Sequence, residues 1–280
     1  MSPLSYLSYL TIVTFHYYNP IWTINVYVPI KKCDIQSWST NEQKDKYTGI
    51  NYWTQLINLS YVNVIEIDFE NIGFKNNISE VIKSDYLRWH LLGTIGGIWS
   101  DFDILYINSI ENFLGMECDF DTLIFNIAGK NGKKYYPIGF FMSKAENNFF
   151  LKLKQLSIKH YNHCKYQCIG TTMININWPM PNSIVENFPE NKFLIENKMV
   201  YLPFEWNQLD KIFKSNCIHE LSKKTVGIHW FNGSSNAKEF QNNLEENLDK
   251  NACTISILAN NFRKLIDISS DGPNQKNDDN

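Results

Sequence analysis

Apolar positions in the first hundred residues switch between two periods. Leu4, Leu7, Leu10 and Val13 recur at helical spacing behind Ser2-Pro3, an N-cap followed by proline at the first helical position. Asn19-Pro20 ends that run. Trp22, Ile24, Val26 and Val28 then alternate with Thr23, Asn25 and Tyr27, which predicts a strand closed by Pro29. Residues 37–46 are polar and read as a loop or short helix. The β-branched stretch 61–69 predicts a second strand, 78–92 a helix, and Gly96-Gly97 a turn into a strand ending at Asp101-Phe102-Asp103.

The pattern loosens beyond residue 120. Strands are expected at 122–128 and 138–142, joined through the hairpin signal Lys130-Asn131-Gly132-Lys133. A helix is expected over 148–163, and the Asn- and Pro-rich stretch 175–188 reads as irregular. Short strands follow at 200–203 and 225–230, then helices at 237–248 and 255–266. Alternating helices and strands at the start predict a largely parallel sheet with helices on both faces, made mixed by the hairpin-bearing second half. In such sheets ligands sit at the carboxyl ends of strands, where Asp101 and Asp103 fall.

Composition narrows the partners. The 280 residues carry a net charge of −3 and show no basic stripe, which argues against nucleic acid. The 44% hydrophobic content suits a packed core, and the 15% aromatic content suits either an aromatic-rich core or a carbohydrate or base site. Six cysteines scattered over this length do not form a disulfide framework, and a reducing compartment is the simpler expectation. No apolar run is long enough to span a bilayer, and the N-terminal stretch has no basic region of the signal-peptide kind.

Candidate chemistry concentrates between residues 84 and 107. Asp85 and Arg88, three apart on the predicted helix, share a face and read either as contacts to sugar and phosphate or as a simple intrahelical ion pair. Asp101 and Asp103, two apart on an extended chain, project the same way and can present oxygens to one divalent cation that keeps positions open for phosphate. His229, at the end of a late apolar strand, reads as a third contact to metal or phosphate, or as a satisfied edge histidine. Glu205 could also reach a metal or serve structure. His160, His163, Cys164 and Cys168 match no common zinc spacing and are read as surface histidines and free thiols.

Ser84-Asp85-x-x-Arg88, followed by Gly96-Gly97-Ile98-Trp99-x-Asp101-x-Asp103, resembles the sugar-binding DXD region of family 32 glycosyltransferases. That group includes initiating α-mannosyltransferases and many capsule or lipopolysaccharide enzymes, and the spacing recurs in the glucosylating domains of large clostridial toxins. Asn19-Pro20-x-Trp22-x-Ile24-x-Val26-Tyr27 and Ile228-His229-Trp230 are similar to further segments of the family.

The resemblance implies a GT-A-like, Rossmann-type mixed α/β sheet with flanking helices over residues 1–268, followed by a disordered polar tail at 269–280. It implies a retaining hexosyltransferase with a nucleotide-diphosphate sugar donor and Mn²⁺ or Mg²⁺. The acceptor would be a glycan, a lipid-linked glycan or a protein. Asp103 resembles the direct metal ligand, and Asp101 its partner at ribose and metal-bound water. Asp85 and Arg88 look like donor-sugar contacts, Trp99 like the aromatic lining the sugar and ribose pocket, and His229 like the histidine beside metal and diphosphate. The expected location is the cytoplasm, with peripheral association at the inner membrane face.

Two departures stand out. The chain starts at Met1-Ser2-Pro3, about where the family's usual first strand, of the type Lys-Ile-Ile-His-x-x-Trp, would have just ended, so the sheet is expected without that strand. The late loop, often Gly-Ser-Trp, is Gly233-Ser234-Ser235 here. A truncated, non-catalytic glycosyltransferase-like protein is therefore a competing expectation. A phosphohydrolase with an Asp-x-Asp nucleophile is a weaker one, because Leu105 stands where that class wants Thr or Val.

Overall fold

The computed structural model describes residues 3–33, 46–115, 119–128, 134–162 and 166–270. The chain runs through α1 (Tyr6–Tyr18), β1 (Ile24–Pro29), α2 (Trp53–Ile57), β2 (Val62–Ile67), α3 (Glu80–Thr94), β3 (Gly97–Ser100), β4 (Ile104–Tyr106), α4 (Ile110–Leu114) and β5 (Thr122–Ala128). It continues through β6 (Lys134–Tyr135), β7 (Phe140–Ser143), α5 (Asn148–His160), α6 (Thr171–Asn177), α7 (Pro181–Asn187) and β8 (Phe193–Asn197). Then come α8 (Leu209–Phe213), β9 (Gly227–His229), α9 (Ser235–Asn242), α10 (Leu244–Lys250) and α11 (Thr254–Ser270).

The expected α/β class, with mixed strand pairing and flanking helices, is observed. The expected dominance of parallel strands is not. β1 pairs in parallel with β2, and β5 with β8, whereas β3–β7, β5–β7, β5–β6 and β4–β9 are antiparallel. Strict helix–strand alternation lasts only through β3. Beyond it, strands follow one another without an intervening helix, and such strands cannot become parallel neighbours.

Helix α1 lies along β4 and serves its backbone. The Thr14 hydroxyl accepts from the Tyr106 N–H at 3.1 Å and donates to the Leu10 carbonyl at 2.6 Å. The Thr11 hydroxyl donates to the Phe102 carbonyl at 3.1 Å. Buried backbone groups need such partners wherever no strand supplies them. The N-cap is Ser5 rather than Ser2, with its Oγ accepting from the Ser8 N–H at 3.3 Å. At the other end Asn19 ties the helix to α4, its Oδ1 accepting from the Ile110 N–H at 2.8 Å.

Two glycines set α3 and β3 in place. A Cβ on Gly93 would lie 2.8 Å from the Leu151 nitrogen, so its absence lets α5 pack close against α3. Gly96 has φ +76 and a Cβ there would lie 2.5 Å from the Ala145 nitrogen, so the predicted Gly-Gly turn has both a conformational and a steric cause. Around α3 the core is aromatic: Trp89, Phe141, Phe149 and Phe150 pack with Tyr86 and Trp178. These rings build an aromatic-rich core, one of the two expectations raised by the aromatic content.

Other expectations need correction. Residues 175–188 are not irregular, since α6 ends at Asn177 and α7 starts with Pro181 at its first position. The strand expected at 200–203 is absent; a 3-10 turn covers 198–200, and β8 lies just before it. The carbonyls of Val200 and Tyr201 nonetheless accept from the N–H groups of Val226 and His229. The helix expected at 237–248 is two, α9 and α10. Helix α11 includes 269–270, and the rest of the expected tail lies outside the described residues, as do most of 37–46, the turn at 130–133, His163 and Cys164. Among the described residues no helix is long and apolar enough to cross a membrane.

Candidate active site

The Asp-x-Asp segment does not continue a strand, as expected from sequence, but crosses between two sheets. β3 ends at Ser100, residues 102–103 form a turn, and β4 begins at Ile104. Asp101 still extends the β3–β7 ladder, its N–H donating to the Gly139 carbonyl at 2.8 Å. Asp103 belongs to the β4–β9 side, its carbonyl accepting from the Trp230 N–H at 2.8 Å. The two carboxylates meet at the seam because each is fixed by a different sheet.

His229, the last residue of β9, completes the group. Its Nε2 lies 3.1 Å from Asp103 Oδ1, and the Asn232 N–H donates to Asp103 Oδ2 at 2.9 Å. One ligand atom from each of Asp101, Asp103 and His229 falls within 4.8 Å of the others, so the three can converge on one cation. Two carboxylate oxygens and one imidazole nitrogen suit Mn²⁺, and Mg²⁺ less well because of the nitrogen. Among the described residues this is the one His/Cys/Asp/Glu cluster with such geometry. Neither His160 nor Cys168 belongs to one; the Cys168 thiol is buried and faces the backbone of Asn162.

Asp85 and Arg88 adjoin this cluster and are buried together. Arg88 Nη2 lies 3.0 Å from Asp85 Oδ1 and 3.4 Å from Asp101 Oδ1, and Nη1 donates to the Ile138 carbonyl. The solvated intrahelical pair considered from sequence is thereby excluded, although the ion pair itself exists. The guanidinium also stacks over the Trp99 ring at 4.9 Å. Trp99 spends its Nε1–H on Asp101 Oδ1, at 2.8 Å, so it orients the carboxylate as well as lining the cavity.

The electrostatics push the carboxylates apart. Burial raises the Asp85 carboxyl from 3.8 to about 6, against the pull of Arg88 and with help from the Asp101 charge. Burial also pushes Asp101 up, opposed by Arg88 and reinforced by Asp103. For Asp103 burial acts upward too, but the His229 charge, its hydrogen bond and the Asn232 N–H together hold the carboxyl below the usual range. His229 is raised: burial favours the neutral ring, and the Asp103 and Asp101 charges outweigh it.

Several contributors carried no clear mark in the sequence. A Cβ on Gly139 would lie 3.1 Å from Asp101 Oδ2, and one on Gly170 would lie 2.8 Å from Asp85 Oδ2. A glycine beside an apolar strand signals a close approach, and Gly139 was legible on that ground alone. Lys238 on α9 donates to Asn232 Oδ1 at 2.9 Å, and burial lowers its ammonium against the pull of Asp103. Glu205 serves structure: it pairs with Lys198 and caps a 3-10 turn.

Asp85, Arg88, Trp99, Asp101, Asp103, Gly139 and His229 line one cavity of roughly 980 Å³, which also reaches Asn25, Tyr27 and Lys83. Among the described residues, Asp85 Oδ2 and Arg88 Nε are buried there without hydrogen-bond partners.

Among solved structures the chain is similar to the PaToxG glycosyltransferase, at 13% identity and a TM-score of 0.43, over 68% of this chain and 70% of that one. It is also similar to the galactosyltransferase LgtC in complex with donor and acceptor sugar analogs, at 14% identity and a TM-score of 0.41, over 80% and 83%. No curated protein matches it. The family model for capsular polysaccharide synthesis proteins matches residues 26–171, from β1 into α6, a segment that carries Asp85, Arg88, Trp99, Asp101 and Asp103. With more than half of its length so matched, the chain belongs to the capsular polysaccharide synthesis protein family.

Proposed function

We propose that this protein is a metal-dependent, retaining glycosyltransferase with a GT-A-like fold. It moves a hexose from a nucleotide-diphosphate sugar to a glycan, a lipid-linked glycan or a protein. The observation that carries this reading is the convergence of Asp101, Asp103 and His229 beside the buried Asp85–Arg88 pair in one cavity. Asp103 and His229, with Asp101, would hold Mn²⁺ or Mg²⁺. The ion supplies positive charge to the diphosphate as it leaves.

The chain's own residues do the rest. Arg88 holds donor oxygens at the seam, steadied by Trp99 and by the Ile138 carbonyl. Asp85 accepts from a hexose hydroxyl through Oδ2, the oxygen that has no hydrogen-bond partner among the described residues. Trp99 fixes the Asp101 carboxylate, which would contact the ribose and help hold the metal. The acceptor hydroxyl approaches from the face that the diphosphate vacates. The bond from the sugar carbon to the phosphate oxygen breaks as the new one forms, and that oxygen takes the hydroxyl proton. No side-chain nucleophile is required, and the donor's configuration is kept. The protein works in the cytoplasm, and with a lipid-linked acceptor it does so at the inner membrane face.

Asp103→Ala is the test. Transfer is lost while the circular dichroism spectrum is kept, and the anomeric proton of the wild-type product shows the donor's configuration. Wild-type turnover in Asp103→Ala would sink the metal assignment, and an inverted anomer would sink the retaining route.

A further inference from the structure

Four aromatic rings stand at the cavity mouth, and the donor and metal contacts use none of them. Trp206 is 45% exposed, Tyr135 38% and Phe102 37%, with Phe231 half-buried beside them. Trp206 is the most exposed of the described tryptophans. The Phe231 ring lies edge-on to His229, with centroids 4.4 Å apart. Trp206 in turn lies edge-on to Phe231, at 5.6 Å and 83°. A wall of rings thus runs from the proposed metal-binding histidine out to solvent.

Both ends of that wall are held against a cost. Phe231 sits at φ +54, a left-handed conformation that bulky residues avoid and that clusters at functional sites. Trp206 leaves apolar surface in water, although it is held in a short 3-10 turn in which the Glu205 N–H donates to Gln208 Oε1 at 3.0 Å. Phe231 packs partly against the core, whereas core packing does not explain the exposed Trp206; both rings border the open cavity.

We propose that this wall is the acceptor subsite and that a pyranose residue of a glycan docks on it. The proposal rests on the glycosyltransferase reading and adds the class of acceptor. One face of a pyranose is built of C–H groups, and its hydroxyls ring the edge. A flat aromatic side chain takes the C–H face by dispersion and leaves the hydroxyls to polar neighbours and water. A nucleobase fits less well, because rings meeting at 83° leave no parallel slot between them. A lipid tail wants an unbroken apolar groove, whereas Asn232 and the Tyr135 hydroxyl interrupt this one. His229 bonds Asp103, so a sugar on the wall lies beside the place where the donor bond would break.

The test uses the full chain and two kinds of probe. Methyl pyranosides of glucose, galactose, mannose and N-acetylglucosamine are followed by saturation-transfer NMR, and UDP and GDP with Mn²⁺ by calorimetry. At least one glycoside binds the wild type. Its affinity falls about fivefold or more in Trp206→Ala and largely returns in Trp206→Tyr, while the nucleotide Kd shifts less than about twofold. Equal glycoside binding by wild type and Trp206→Ala overturns the proposal, as does a loss confined to the nucleotide. Glycoside binding that depends on Trp206, with no nucleotide binding by the wild type, keeps the saccharide platform and overturns the transferase reading instead.

Discussion

Replacing Asp85 by Asn should change how stability responds to pH. In the folded protein burial raises this carboxyl from 3.8 to about 6, more than the neighbouring Arg88 lowers it. Between those values the folded chain keeps a proton that the unfolded chain has lost. Wild-type stability therefore falls as pH rises through this window, and the cost is complete above about pH 6. The gap between 3.8 and about 6 corresponds to about 3 kcal/mol. The neutral amide of the Asp85→Asn variant does not titrate and carries no such cost. Asp101 titrates in both proteins and largely cancels in the comparison. The Arg88 attraction acts on the ionised carboxyl alone and is already contained in the raised value, so it adds no separate slope. Urea denaturation without divalent metal, at intervals from about pH 4 to about pH 7, measures the difference. The stability of Asp85→Asn minus that of wild type should rise by about 3 kcal/mol across the range. A flat difference, or one that falls with pH, would refute the reasoning, because Arg88 would then outweigh burial.

Further changes probe the seam and its support. Trp99→Phe keeps a ring beneath Arg88 but removes the hydrogen bond to Asp101; donor turnover should fall about tenfold, as kcat/KM reports. Gly139→Ala places a methyl group 3.1 Å from Asp101 Oδ2, and calorimetry should find Mn²⁺ bound several-fold more weakly at a nearly unchanged melting temperature. Thr14→Val leaves the buried Tyr106 N–H without its acceptor, and denaturant melts should show a loss of about 1–3 kcal/mol.

Much of the candidate site was legible because it is local. Asp85, Arg88, Trp99, Asp101 and Asp103 fall within one helix–turn–strand unit, and the Gly96-Gly97 turn fixes their relation over a few residues. The glycosyltransferase resemblance read from that unit agrees with the family match over 26–171. His229 was legible only through its own late segment, since nothing in its spacing reveals that β9 pairs with β4. Pairings between distant strands are not written in periodicity, which is why the parallel sheet was over-predicted. The helices at 171–177 and 181–187 were missed for a different reason. Asn and Pro read as loop formers, yet Pro181 sits at a helix start and Ile174 and Ile184 bury into the α5 core. Thr11 and Thr14 looked like ordinary helix positions and proved to hold the edge of β4.

In the proposed function, the seam between the two sheets binds a metal and a nucleotide sugar together. Donor hydrolysis across a panel of nucleotide-diphosphate sugars, with and without Mn²⁺, addresses it most directly. Mn²⁺-dependent release of one nucleotide, abolished in Asp103→Ala, is the expected result. Release that ignores both the metal and Asp103, or no release and no binding with any donor, would contradict it.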